Sequence, residues 1–189
     1  MKLFIYLNKS FLLIGVILLS SFVMSYEEPK YKVINQSENY EIRFYDERLV
    51  AQTLNGSSNN SFRKLFKFIS GSNKNSQKIS MTVPVTQFKS EENNTMQFYL
   101  PSTFNMTNIP IPDDSDVEIA RISPGYFAVI KFSGRASDKN FRKHSNQLRK
   151  NLEKNEISIL GPAIKATYNG PITLPMFRRN ESMFQVSWK

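Results

Sequence analysis

The sequence predicts an α+β fold in which a duplicated unit, related by a pseudo-twofold, forms a distorted antiparallel β-barrel flanked by two α-helices. Three observations lead there. The chain contains itself twice: "EIRFYDERLVAQTLNGSSNNSFRK", from Glu41 to Lys64, aligns with "EIARISPGYFAVIKFSGRASDKNFRK", from Glu118 to Lys143. The copies share an opening Glu-Ile, an alanine mid-strand, a glycine at the turn and a closing Phe-Arg-Lys, the kind of self-similarity that marks repeated architecture. Each copy reads as strand, turn, strand, helix and two more strands, which bounds the repeats at about 40–100 and 117–186. Each unit also has one apolar sheet face and one apolar helix stripe that it cannot cover alone, so pairing the units buries both.

The elements follow in order. Tyr40 to Tyr45 and Leu49 to Leu54 alternate as strands do, and "NGSSNN" supplies turn and N-cap residues for a helix from about Ser61 to Ser70. Phe62, Leu65, Phe66 and Ile69 recur at i, i+3, i+4, i+7 and predict its buried face, leaving Arg63, Lys64 and Lys67 on the others. Gly71 is placed to end it. Strands at Ile79 to Phe88 and Thr95 to Leu100 complete the first copy. The second has strands at Val117 to Ile122 and Tyr126 to Phe132, then a helix from Ser137 or Asp138 to Glu153. Its apolar positions are Phe141, Leu148 and Leu152, with His144 and Ser145 on the same face, and Asn155 with Gly161-Pro162 marks its exit. Strands at Ala163 to Asn169 and Met183 to Val186 close the chain. One stretch departs from the pattern: "KISMTVPVTQF", Lys78 to Phe88, carries Pro84 in its middle. Proline brings no backbone donor, which predicts an opened sheet edge beside a pocket.

Lys2 and Lys9, the apolar run Phe11 to Leu19, and Val23 and Ser25 before a cleavage point predict a removable export signal over 1–25. Phe11 to Met24 is shorter than the ~20 apolar residues of a span, so no membrane span is expected after cleavage. The mature domain, 26–189, is then exported, periplasmic or secreted. It has no cysteine, which excludes disulfides, a lipoprotein anchor and thiolate metal or haem sites. Net charge is +9, and removing Lys2 and Lys9 leaves +7. The basic residues are scattered in an exported chain, which favours an anionic small molecule or plain solubility over nucleic acid. Sequons at Asn35, Asn55, Asn59, Asn93, Asn105 and Asn180 do not settle the host.

With no cysteine and one histidine, Ser-His-Asp, Cys-His and multi-histidine metal centres have no support, and no catalytic residue is expected. His144 lies between Phe141 and Leu148, where a structural role outranks ligation. Arg63, Lys64 and Lys67 can pair with ligand carboxylates, the alternative being a solvated helix face. Arg178 or Arg179 is expected to pair with a buried carboxylate such as Glu41 or Glu118. Met81 and Met176 offer soft apolar contact.

Four stretches are similar to one known family: "YEEPKYKVI" at Tyr26 to Ile34, "YEIRFY" at Tyr40 to Tyr45, "FRKLFKFISGSNKNSQKISMTVPVTQF" at Phe62 to Phe88, and "LPMFRRNESMFQV" at Leu174 to Val186. Together they resemble the SOUL haem-binding proteins over essentially the whole mature chain. The resemblance implies a monomer that holds haem or protoporphyrin non-covalently in a shallow apolar groove beside the first helix, with basic residues at the propionates. Lys67 matches the family's basic helix position, whereas two further basic positions fall at Asn59 and Leu174, and the histidine of some members falls at Phe44. Met81, Val83, Val85 and Met176 are the apolar contacts implied, with Lys67, Lys64 and Arg63 the basic ones. The expected function is sequestration or transfer of a tetrapyrrole. An envelope interaction module taking an acidic polymer, or a peptide along the "MTVPV" edge, is the alternative, followed by a small-molecule hydrolase.

Overall fold

The structure, a computed structural model, describes residues 26–54, 56–90 and 93–189. The predicted signal segment and Asn55 lie outside these residues. The described chain runs β1 (Lys32–Gln36), β2 (Glu41–Tyr45), β3 (Arg48–Thr53), α1 (Ser58–Ile69), β4 (Val85–Lys89), β5 (Asn94–Tyr99), β6 (Val117–Ile122), β7 (Gly125–Phe132), α2 (Asp138–Lys154), β8 (Ile164–Thr167) and β9 (Asn180–Val186). All nine strands pair antiparallel in one curled half-barrel sheet, in the order β1-β2-β7-β9-β8-β4-β5-β3-β6.

That order is the duplication made visible. From the central β8–β4 pair outward, β9, β7 and β2 on one side mirror β5, β3 and β6 on the other, and β1 is added beyond β2. The shared alanines explain why the copies superimpose. Ala51 faces Phe98 across β3–β5 and Ala128 faces Phe184 across β7–β9, and all four side chains are buried. A small residue opposite a large one leaves room for a helix. Leu65 and Ile69 of α1 pack on Ala51 and Phe98; Leu148 and Leu152 of α2 pack on Ala128 and Phe184.

Strand alternation separates two environments, because successive side chains point to opposite faces. The helix-covered face carries Ile42, Ala51 and Phe98; the concave face carries Tyr45, Phe127, Val129, Ala166, Tyr168 and Met183. Glu41, Arg43, Tyr45 and Arg48 belong to the concave side. Three expectations need correction. The buried face of α1 is Leu65, Phe68 and Ile69, while Phe62 and Phe66 are 42% and 50% exposed. Burial thus matches the helices through Leu65 with Leu148, one turn away from the register that the two Phe-Arg-Lys triplets suggest.

Pro84 is not inside a strand, and β4 is not an edge. The ladder begins at Val85, directly after Pro84, since a residue without an N–H cannot donate to it. β4 is paired on both sides, with β5 and β8, so from Val85 onward there is no open strand edge for a peptide. Instead, Thr82 bridges Glu27 and the Val83 N–H donates to the Glu27 carbonyl at 2.9 Å. The edges of the sheet are β1 and β6.

Candidate functional site

Two places combine apolar surface with positive charge: the outer side of α1 and the concave face of the sheet. On α1, Phe62 and Phe66 stack with ring centroids 6.1 Å apart and 11° between planes, and the edge of Phe62 meets Phe98 at 5.2 Å. One step round the helix, Arg63 and Lys67 form an exposed basic stripe; Arg63 donates to the Asn60 side chain at 2.9 Å. Lys67 has no ion-pair partner among the described residues. Lys64 differs: it pairs with Asp116 and lies 3.9 Å from Asp114, so its ammonium is already neutralised. The hydrogen bond it donates to Asp116 holds it above the usual lysine range.

The predicted apolar contacts are divided. Met81 is half-buried and packs with Val85 in the core beneath α1, whereas Val83 points to the concave cluster of Tyr45 and Tyr168. Val85 is buried and presents no surface. Met176 is 69% exposed, on a 3₁₀ turn at Pro175–Phe177 within an apolar run that also exposes Ile172, Leu174 and Phe177. His144 is held structurally. Its ring stacks on Phe132 at 3.9 Å and 2°, and its Nδ1 lies 2.8 Å from the Asn140 carbonyl. Phe44 packs on Tyr126. No group of three His, Cys, Asp or Glu is placed to hold a metal ion among the described residues.

The concave face holds a charge cluster centred on Arg43, which the motif reading did not single out. Arg43, fully buried, donates to both oxygens of Glu181 at 2.9 and 3.2 Å, to Glu41 at 2.7 Å and to the Tyr45 hydroxyl at 3.1 Å. Tyr168 and Arg179 also donate to Glu181, at 2.7 and 3.0 Å, and Arg179 continues to Glu28 at 3.0 Å. A buried carboxylate does pair with Arg179, as expected, but it is Glu181, while Arg178 donates to the carbonyls of Thr173 and Pro171. Burial alone would push the Glu181 carboxyl up, yet the hydrogen bonds and charge of Arg43 and Arg179 hold it below the ordinary value of 4.5. The signal was present in "EIRFY", where the charges alternate with core residues and so share the face of Tyr45.

Arg48 pairs with no carboxylate among the described residues, and the Tyr99 side chain is its hydrogen-bonding neighbour. Arg48 is 9% exposed, and its Nε and one terminal nitrogen find no acceptor among the described residues. Its guanidinium lies over the rings of Tyr45 at 4.4 Å, Phe127 at 4.8 Å and Tyr99 at 5.8 Å. Burial pushes its pKa below the usual arginine value. It stands between a cavity of about 440 Å³ and one of about 350 Å³, both also lined by Tyr99 and Arg121.

A family model described as SOUL heme-binding protein matches residues 26–185. The chain belongs to this family. No curated protein matches the chain. Among solved structures, an uncharacterized conserved protein from Listeria innocua is similar with a TM-score of 0.62 at 10% identity, covering 80% of this chain and 94% of its own. A hydrolase from Listeria innocua gives 0.58 at 10%, covering 82% and 94%, and the C-terminal domain of EcmrR gives 0.59 at 12%, covering 84% and 99%. At such identities these likenesses show the fold, which the SOUL chain shares with them.

Proposed function

We propose that this protein is exported and holds haem or a related tetrapyrrole on the outer side of α1, for sequestration or transfer. One observation carries the reading: two stacked, half-exposed phenylalanines lie beside an arginine and a lysine that has no ion-pair partner among the described residues. Large aromatic side chains are normally withdrawn from water, and a flat macrocycle laid on Phe62 and Phe66 would cover them. Its carboxylates would then reach Lys67 and Arg63 as charge-assisted hydrogen bonds. Met81, half-buried below the helix, and the exposed Met176 remain candidates for further apolar contact. Haem supplies the iron; the chain places no histidine on α1, since His144 belongs to α2 and is stacked on Phe132. Binding therefore rests on the porphyrin face and its acids.

The geometry favours binding over hydrolysis. Glu41 and Glu181, the acids gathered on Arg43, are both held below the ordinary carboxylate value, so neither is available as a general acid near neutral pH. No helix among the described residues is long and apolar enough to cross a membrane. We expect the mature chain to act as a monomer.

The test is a titration of residues 26–189 with ferric haem and with metal-free protoporphyrin, following the Soret band. Both should bind below roughly 10 μM, an affinity near −7 kcal/mol. Phe66→Glu and the double variant Arg63→Glu/Lys67→Glu should each weaken both ligands at least tenfold. Binding of neither porphyrin, or binding indifferent to all three substitutions, would sink the reading; loss of haem alone on His144→Ala would move the site to α2.

A further inference from the structure

We infer that the concave face of the sheet carries a second ligand site, in which Arg48 binds the acid group of a small apolar or aromatic carboxylate. The inference stands apart from the tetrapyrrole reading and uses other residues. Its root is an unmet demand. A guanidinium carries five donors in a fixed fork and stays charged in proteins. Arg48 is nine-tenths buried, and beyond its contact with the Tyr99 side chain its Nε and a terminal nitrogen have no partner among the described residues. Leaving buried charged donors unsatisfied is expensive, and native chains keep such groups where a partner arrives from outside.

The two cavities beside Arg48 decide what that partner is. The larger is lined by four carboxylates, Glu27, Glu28, Asp46 and Glu47, which offset Lys30, Arg48 and Arg121 and disfavour an anion relative to the smaller. The smaller has no acidic residue: Arg48 and Arg121 are its charges, and Phe88, Phe127, Ile164 and Met183 supply apolar walls. Its amides are Gln97 and Gln185. Positive charge at one end and hydrocarbon along the sides select an amphipathic acid, because a carboxylate matches the guanidinium fork in a bidentate pair while the body of the ligand replaces water on the walls. At about 350 Å³ the space lies near the small end of the range for ligand sites, roughly 300–1,000 Å³. A compact ring or a short chain suits it better than a macrocycle.

The probe is 2-naphthoate, compared with its neutral isostere 2-naphthamide, titrated calorimetrically into residues 26–189. Naphthoate should bind with a Kd below about 100 μM and at least tenfold more tightly than the amide, the discrimination expected of one desolvated ion pair. Arg48→Leu should remove that preference and raise the melting temperature by a few degrees, as loss of an unsatisfied buried charge does. Ile164→Trp, which fills the cavity and leaves Arg48 in place, should also abolish binding. It serves as the test if Arg48→Leu does not fold. Phe66→Glu, which is designed against the tetrapyrrole, should leave naphthoate affinity within twofold. Equal binding of acid and amide, no binding below 1 mM, or an unchanged preference in Arg48→Leu overturns the inference, and a naphthoate site lost in Phe66→Glu would place the acid on α1 instead.

Discussion

Arg43, in the middle of β2, and Arg48, the first residue of β3, stand five residues apart, both turned to the concave face and both nearly closed to water, yet their surroundings are opposite. Arg43 meets Glu41, Glu181 and the Tyr45 hydroxyl, and each of its three side-chain nitrogens donates to one of them. Arg48 meets three aromatic rings and two cavities. The difference teaches how to separate a charge that organises a fold from one that waits for a ligand. Burial does not distinguish them; the completeness of the hydrogen bonding does.

The sharpest way to break the comparison is Glu181→Ala. It strips the shared acceptor from Arg43, Arg179 and Tyr168 and leaves a fully buried guanidinium without its main partner, so urea denaturation should show a loss of about 3–5 kcal/mol. A loss under 1 kcal/mol would mean that Glu41 alone can neutralise the cluster.

Acid titration should reveal the same network. Because the folded state lowers the Glu181 pKa, its contribution to stability is fully present above about 4.5 and is lost as pH falls through the folded value. Wild-type stability should therefore drop more steeply below pH 4.5 than that of Glu181→Gln. Parallel curves would show that the carboxylate is not coupled to folding.

For Arg48 the sign reverses. Arg48→Leu should stabilise the chain by about 1 kcal/mol, since it removes donors that the protein never satisfied. Destabilisation beyond 1 kcal/mol would instead assign the stability to its stacking on Tyr45 and Phe127. The smallest effect belongs to Lys131→Met. Lys131 is half in solvent and reaches Glu41 at 2.9 Å from the rim, so its loss should change stability by less than about 1 kcal/mol. A larger change would extend the rigid network to the surface.

Much of this was legible before any coordinates, and the misses have physical causes. The repeat, the two helices and eight of the nine strands follow from alternation and 3.6-residue spacing, and β6 matches residue for residue. β1 escaped because Lys32 to Gln36 is exposed throughout, an edge strand with no buried stripe to read. The α1 face differs from the expectation because two apolar stripes share Leu65 and Ile69 at helical spacing, one through Phe62 and Phe66 and one through Phe68, and the sheet covers the second. Asn180, a sequon in the chain, is buried in β9 with its side chain donating to the Gly134 carbonyl, so the folded domain has no room for a glycan there.

Local chemistry, then, is enough to announce a duplicated α+β domain of the SOUL family: periodicity and turn residues act between near neighbours in the chain, and the motifs are contiguous. The choice between structural and ligand-seeking charges is made elsewhere. It depends on whether Glu181, more than a hundred residues downstream, arrives beside Arg43 and not beside Arg48. Register across the closing β7–β9 and β2–β7 pairs sets that meeting. Such long-range pairing leaves no trace in the spacing of any one segment, because the partner that satisfies a buried charge is defined by the folded sheet alone.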